Sequence, residues 1–229
     1  TTAQAESAAR FAAVFQEALL DYTEPFAYAI PNFYDTPTLL TKMLDVDTSH
    51  MGTEKYAICH PLAETIRARL DKLGGYVATP KRVLHGDLRF NNFRFDTNGV
   101  AIALIDLDTL GRYPLPIEIG NMLRSWCSSR QTSRPSLNFD TWQAAITGYR
   151  AAARFVSEDE WRAIPHGFEQ VTLELAARYL TDAYEEKYFA HDSTYPSLLE
   201  QNLDRARFCL AIHDEFSYNR EIVNRMFSA

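Results

Sequence analysis

The chain has 229 residues, a net charge of −7, 46% hydrophobic and 23% charged residues. That profile fits one large or two small globular domains, and it excludes wholesale disorder, a collagen-like repeat and a disulfide scaffold. No run approaches the ~18 uncharged apolar residues of a membrane span, and the acidic balance disfavours a nucleic-acid or anionic-membrane surface. Cys59, Cys127 and Cys209 show no CxxC spacing and suit reduced thiols in a cytoplasmic protein. The N-terminal stretch lacks a basic region leading into an apolar core, so no signal peptide is expected.

In chain order, Phe11, Val14, Phe15, Ala18, Leu19 and Tyr22 recur at helical spacing. They predict a first helix with these residues on one face, ended at Thr23-Glu24-Pro25. Residues 25–37, rich in aromatics and prolines, read as a packed loop. Thr36-Pro37 opens a short helix to about residue 46, with Thr36 as its cap. A longer helix covers about 53–73 and closes on Gly74-Gly75. From Arg82 the pattern changes. Val83-Leu84-His85 and Phe93-Arg94-Phe95 are strand-like, Asp96-Thr97-Asn98-Gly99 is a turn, and 100–107 (VAIALIDL) is the strongest strand. Helical patterns return at 117–130, 140–153, 157–190 with a break at Pro165-His166-Gly167, and 196–216. Residues 131–138 read as a mobile loop. Leu173, Ala176, Ala177, Leu180 and Tyr184 form a core stripe, and spacing alone would make Tyr188 and Phe189 core as well. The expected class is mainly α (α+β), with a small β element at 82–110 inside a helical body.

The polar residues of interest gather in that element. His85-Gly86-Asp87 follows a short strand, Asn92 comes five residues after Asp87, and Asp106 lies on a strand that a turn folds back beside the first. Two carboxylates and an amide oxygen around one small volume are hard ligands suited to Mg²⁺. Asp108 points the same way as Asp106 if strand alternation persists; Asp108 and Thr109 equally suit a turn after the strand. His50, His60, His166, His191 and His213 show no ligand spacing, and no serine sits in GxSxG.

The run HGDxxxxN followed by IDxD resembles the catalytic core of the aminoglycoside phosphotransferase and choline kinase family, which has the protein-kinase fold. The resemblance implies that Asp87 is the base for an acceptor hydroxyl, that Asn92 and Asp106 hold Mg²⁺ on ATP, and that His85 braces the loop. Residues IPNFYDTP at 30–37, IDLDT at 105–109 and RYLTDAYEEKYF…NLDRAR at 178–207 are similar to the N-acetylhexosamine 1-kinase branch, over about residues 5–215. That branch places Lys two residues after the base; here it is Arg89, a cation for the transferring phosphoryl group. By the same resemblance Thr109, Arg178 and Tyr188 contact the sugar. Arg178 equally suits a salt-bridged helix position. The branch's Asp-Phe-Gly-Asp run is replaced by Glu118-Ile119-Gly120-Asn121, which places Glu118 as a structural brace with a longer arm.

Such a kinase also needs a glycine-rich hairpin and a strand lysine. Residues 1–84 contain neither: Gly52, Gly74 and Gly75 make no GxGxxG, and Lys42, Lys55 and Lys72 lie on helical patterns. The expectation is therefore a single kinase-like C-terminal lobe over 1–229, partnered by an N-terminal ATP-binding lobe of the same polypeptide and inactive by itself. The expected reaction moves the ATP γ-phosphate to a hydroxyl of a small molecule, such as an N-acetylhexosamine. A choline- or aminoglycoside-like acceptor, or a noncatalytic nucleotide- or partner-binding module, are the alternatives.

Overall fold

The computed structural model describes residues 1–130 and 134–227. The helices are α1 (Thr2–Glu17), α2 (Thr36–Ser49), α3 (Glu54–Lys72), α4 (Leu115–Cys127), α5 (Phe139–Ala152), α6 (Glu158–Glu185), α7 (Leu198–Tyr218) and α8 (Arg220–Phe227). The strands are β1 (Lys81–Leu84), β2 (Phe93–Phe95), β3 (Ala101–Leu104), β4 (Gly111–Pro114), β5 (Ser128–Ser129) and β6 (Ser136–Leu137). The mainly α class is the one that the sequence implies. Among the described residues no helix is long and apolar enough to cross a membrane. The chain forms two compact units. One comprises Thr1–Pro31, Val77–Phe168 and Phe216–Ala229; the other comprises Asn32–Tyr76 and Glu169–Glu215.

In the first unit α1 packs along α5. Its buried stripe is Ala5, Ala8, Ala9, Ala12, Ala13 and Gln16, whereas Val14 is 51% exposed. The apolar spacing therefore finds the helix and misjudges its inner face. The reason is proximity: a Cβ at Gly148 of α5 would lie 2.0 Å from the Glu6 carbonyl oxygen, so only alanine-sized groups fit between the helices. The helix also ends earlier than expected, at Glu17, and Ala18–Tyr22 continue as tight turns.

β1 pairs antiparallel with β4, from Lys81↔Pro114 to Leu84↔Gly111. β2 pairs with β3 through the Asp96–Gly99 turn, in which Asp96 Oδ1 accepts the N–H groups of Asn98 and Val100. The expected pairing of 100–107 with the first strand is thus replaced by pairing with β2. The long strand also stops at Leu104, because Asp106 turns left-handed at φ 68° and Leu107–Thr109 form a 3₁₀ turn. Strand alternation does not reach Asp108.

α4 crosses the first part of α6 closely. A Cβ at Gly120 would meet Phe168 N at 2.5 Å, and one at Gly167 would meet Pro116 O at 2.2 Å. Pro165-His166-Gly167 is therefore a packing site and not a break: α6 runs through it, giving up only the hydrogen bond that Pro165 cannot donate. Of the loop expected at 131–138, residues 131–133 lie outside the described residues, and Ser136–Leu137 pair with Ser128–Ser129.

The second unit has its own core, in which Met43, Ile66, Leu173, Leu180 and Leu203 meet. Helix α2 is capped by Asp35, which accepts the Thr38 N–H at 3.2 Å, and not by Thr36. Thr36 is buried instead, donating to Glu174 Oε2 at 2.5 Å and accepting from Gln170 Nε2 at 2.8 Å. Thr53 caps α3, and α6 ends with Glu186 at φ 51°.

Candidate active site

The loop after β1 carries the first group of candidate residues. Gly86 adopts φ 86°, and a Cβ there would lie 2.4 Å from the Thr109 carbonyl oxygen, so only glycine makes this turn. The loop is pinned on several sides. Trp126 Nε1 donates to Leu88 O at 2.7 Å, and Thr109 Oγ1 donates to His85 O at 2.8 Å. Glu118 Oε1 accepts the Gly86 N–H at 2.5 Å.

His85 is fully buried and joins two loops. Its Nε2 donates to the Ile105 carbonyl at 2.9 Å, so Nδ1 is the acceptor for the Asp87 N–H at 3.2 Å. Burial holds the ring's pKa below 6.5, against the raising effect of Ile105 and of Asp87, Asp106 and Asp108. Ile105 also donates its N–H to Asn92 O at 2.9 Å. Asp106 is thereby carried beside both His85 and Asn92.

The side chains are arranged as follows. The Asp87 carboxylate accepts Arg89 Nε at 3.0 and 2.8 Å, and Arg89 Nη2 at 2.8 Å. Asn92 Nδ2 donates to Asp87 O at 2.8 Å, which commits its nitrogen and leaves Oδ1 with no donor among the described residues. Asp106 is exposed, and among the described residues no hydrogen bond or ion pair engages its carboxylate. Asp108 is exposed in the 3₁₀ turn. An amide oxygen and a carboxylate are hard donors that fit a divalent cation keeping water or phosphate oxygens. Among the described residues no group of three or more His, Cys, Asp and Glu is assembled, so these residues do not form a closed protein cage.

Arg178 and Tyr188 meet each other in the second unit. Arg178 Nη2 donates to the Tyr188 hydroxyl at 2.9 Å, and its guanidinium lies 5.2 Å from the Tyr188 ring centre. Tyr188 is 65% exposed and is not a core residue, contrary to its spacing. Its segment is held by Asp182, whose carboxylate accepts the N–H groups of Lys187, Tyr188 and Phe189.

Several polar residues escape sequence reasoning. Gln16 looks like a surface position on an alanine-rich helix, yet it is 1% exposed and donates from Nε2 to Glu118 Oε2 at 2.5 Å. Tyr149 donates to Gln16 Oε1. Asp182 offers one weak signal, an acid beside a core stripe. Asn121, the other departure from the expected run, accepts Arg124 at 3.1 and 2.8 Å.

Comparisons with known proteins bear on the fold and the family. The chain is similar in structure to a microcompartment-associated aminopropanol kinase, with TM-score 0.57 and 17% identity over 96% of this chain and 63% of that one. It is also similar to an aminoglycoside phosphotransferase from Alicyclobacillus acidocaldarius subsp. acidocaldarius DSM 446, with TM-score 0.58 and 15% identity over 97% of this chain and 68% of that one. The chain thus spans less than two thirds of the aminopropanol kinase's length, and at these identities the likeness is one of fold. A search of curated proteins finds no match. A model of the phosphotransferase enzyme family, APH, matches residues 1–156, well over half of the sequence and all of the His85–Asp106 constellation, and the chain belongs to that family.

Proposed function

We propose that the chain is the catalytic and acceptor-binding part of a kinase that moves the ATP γ-phosphate to a hydroxyl of a small molecule, with a sugar as the acceptor class. The observation that carries the reading is the bridge made by His85, which ties the Asp87 loop to the Asp106 loop through Asp87 N–H and Ile105 O. Such a bridge sets a base and a pair of hard oxygen donors in fixed register, and positioning is most of what phosphoryl transfer asks of a protein.

In this reading Asp87 orients the acceptor hydroxyl and takes its proton as the oxygen attacks. Arg89 spends Nε and Nη2 on Asp87, which orients that carboxylate and leaves Nη1 for the oxygens of the transferring group. Asn92 Oδ1 and the Asp106 carboxylate would hold Mg²⁺, which when bound offsets charge on the nucleotide phosphates. Exposed Ile102, Ile105 and Leu107, on the approach to Asp106 and just past it, offer apolar surface to the nucleotide. The sugar 1-kinase resemblance gives Arg178 and Tyr188 the role of acceptor contacts, and a guanidinium in that role disfavours a cationic acceptor.

The test is ADP release by the intact protein with ATP, Mg²⁺ and a panel of free sugars, amino alcohols and aminoglycosides. Turnover with a sugar, lost by about 100-fold or more in Asp87→Asn, is the expected result. Undiminished activity in Asp87→Asn would sink the base assignment. Turnover confined to amino alcohols or aminoglycosides would overturn the acceptor class.

A further inference from the structure

Behind the Asp87 loop lies a line of polar side chains that no step of the proposed reaction uses. Tyr149 comes from α5, Gln16 from α1 and Glu118 from α4, and they are 0, 1 and 0% exposed. Their hydrogen bonds converge on Glu118, which accepts from both sides. The Tyr149 hydroxyl donates to Gln16 Oε1, Gln16 Nε2 donates to Glu118 Oε2, and Gly86 N–H donates to Glu118 Oε1. The line stops one residue short of Asp87. Burying three such groups is costly unless each is satisfied, and a site needing only packing would be filled more cheaply by apolar side chains.

We propose that Tyr149 and Gln16 are positioning residues for the Asp87 loop: they hold Glu118 as the acceptor of the Gly86 N–H and thereby fix the backbone that carries the base. Only the consequence for turnover rests on the phosphotransfer reading; the relay itself does not.

The orientation of the Gln16 carboxamide is what the Tyr149 hydroxyl fixes. Gln16 can present either oxygen or nitrogen to Glu118. The Tyr149 hydroxyl, by donating to Oε1, selects the orientation that aims Nε2 at Glu118. Both glutamate oxygens are then filled by N–H donors, which suits a carboxylate. Without the hydroxyl the carboxamide is free to turn. Its oxygen would then face Glu118, an arrangement that only a protonated carboxyl satisfies. That alternative is close in energy, because burial, together with the charge of Asp87, pushes Glu118 up to about 7 despite the Gly86 and Gln16 bonds that lower it. The titratable groups that act on Glu118 are Asp87 from the loop, Tyr113 from β4 and Tyr149 from α5, and none of them is a cation. Arg82 and Glu160 act on Tyr149 in turn. The donor that sets Gln16 therefore decides which protonation state the Gly86 N–H meets near neutral pH.

The experiment is an NMR titration of the intact protein, following the Glu118 carboxyl carbon and the Gly86 amide from about pH 5 to pH 9, a range that brackets the group's shifted titration. The expected result is a common midpoint for the two signals. In Tyr149→Phe that midpoint should rise by roughly 0.5–1 unit, since a lost hydrogen bond to the charged form raises an acid's pKa. Glu118→Gln should abolish the Gly86 titration. In the activity assay Tyr149→Phe should lower kcat about 3- to 10-fold near pH 7, leave nucleotide KM within about twofold, and regain rate at higher pH, as lost positioning dictates. A Gly86 amide that stays still while Glu118 titrates would overturn the proposal. So would a Tyr149→Phe variant whose thermal midpoint falls while the titration midpoint does not move. Should Tyr149→Phe fail to fold, the wild-type titration still decides the Glu118–Gly86 link, and Gln16→Met, with the same expected rise, tests the relay. A relay that titrates as described in a protein without phosphotransfer would leave the inference standing and remove the proposed function.

Discussion

Replacing Asp182 by asparagine should free the segment that displays Tyr188. Asp182 is 2% exposed, yet its carboxylate serves four donors. Oδ1 accepts the N–H groups of Lys187 and Tyr188 at 2.8 and 2.7 Å, and Oδ2 accepts Phe189 N–H and Asn202 Nδ2, both at 3.0 Å. Burial by itself would raise the carboxyl pKa; the four donors outweigh burial and hold it below 3.8. Asparagine keeps the shape, so no cavity opens. It keeps one oxygen, now neutral, and turns the other position into a donor facing two donors. A hydrogen bond to a charged acceptor contributes about 1.5–3 kcal/mol, and roughly half of that survives with a neutral one. The released N–H groups of Lys187 and Tyr188 lie on an exposed segment and recover water, which offsets part of the loss. The sum is a destabilisation of about 2–4 kcal/mol, or a Tm lower by roughly 5–12 °C for a protein of this size. Urea unfolding measures the first quantity and amide exchange at Lys187, Tyr188 and Phe189 locates it. Unchanged protection at those three amides, with a stability change under about 0.5 kcal/mol, would refute the reasoning. The pH sign follows from the depressed carboxyl. Its contribution is fully present above the unfolded value of about 3.8 and is lost as pH falls through the lower folded value.

Gly86→Ala should cost at least about 2 kcal/mol and remove most turnover, because alanine is strained at φ 86° and its Cβ would meet the Thr109 carbonyl, which Tyr113 already holds at 2.9 Å. Wild-type stability and turnover in that variant would show that the loop is not held as described. Glu174 is fully buried, and burial pushes it up to about 7, like Glu118. Its folded pKa lies above the unfolded 4.5, so the folded state keeps a proton that the unfolded state has released, and stability falls as pH rises from about 4.5 to 7. The full effect is about 3 kcal/mol, so Glu174→Gln should gain on the wild type as pH rises through that window. A difference between the two proteins that is independent of pH in urea titrations would contradict this.

What the sequence determined by itself was local. The turn at Asp96–Gly99, the close of α3 just before Gly74-Gly75 and the core stripe from Leu173 to Tyr184 follow from residue types at fixed short spacings, and the structure contains each of them. The spacing of Asp87, Asn92 and Asp106 was legible for the same reason, since a short loop and a hairpin leave few ways to separate them. Tertiary structure decided the rest. Which face of α1 is buried depends on how closely α5 approaches, and that distance is set by Gly148, far away in sequence. Whether Pro165 breaks α6 depends on Gly167 packing against α4. β1 takes β4 as its partner, and a strand's own residues carry little information about which distant edge will meet it. Gln16 and Tyr149 are inconspicuous in the sequence, and Glu118 stands out there only through the family resemblance. The three become a relay only where three helices converge behind Gly86 and exclude water, because burial is what makes each hydrogen bond between them obligatory.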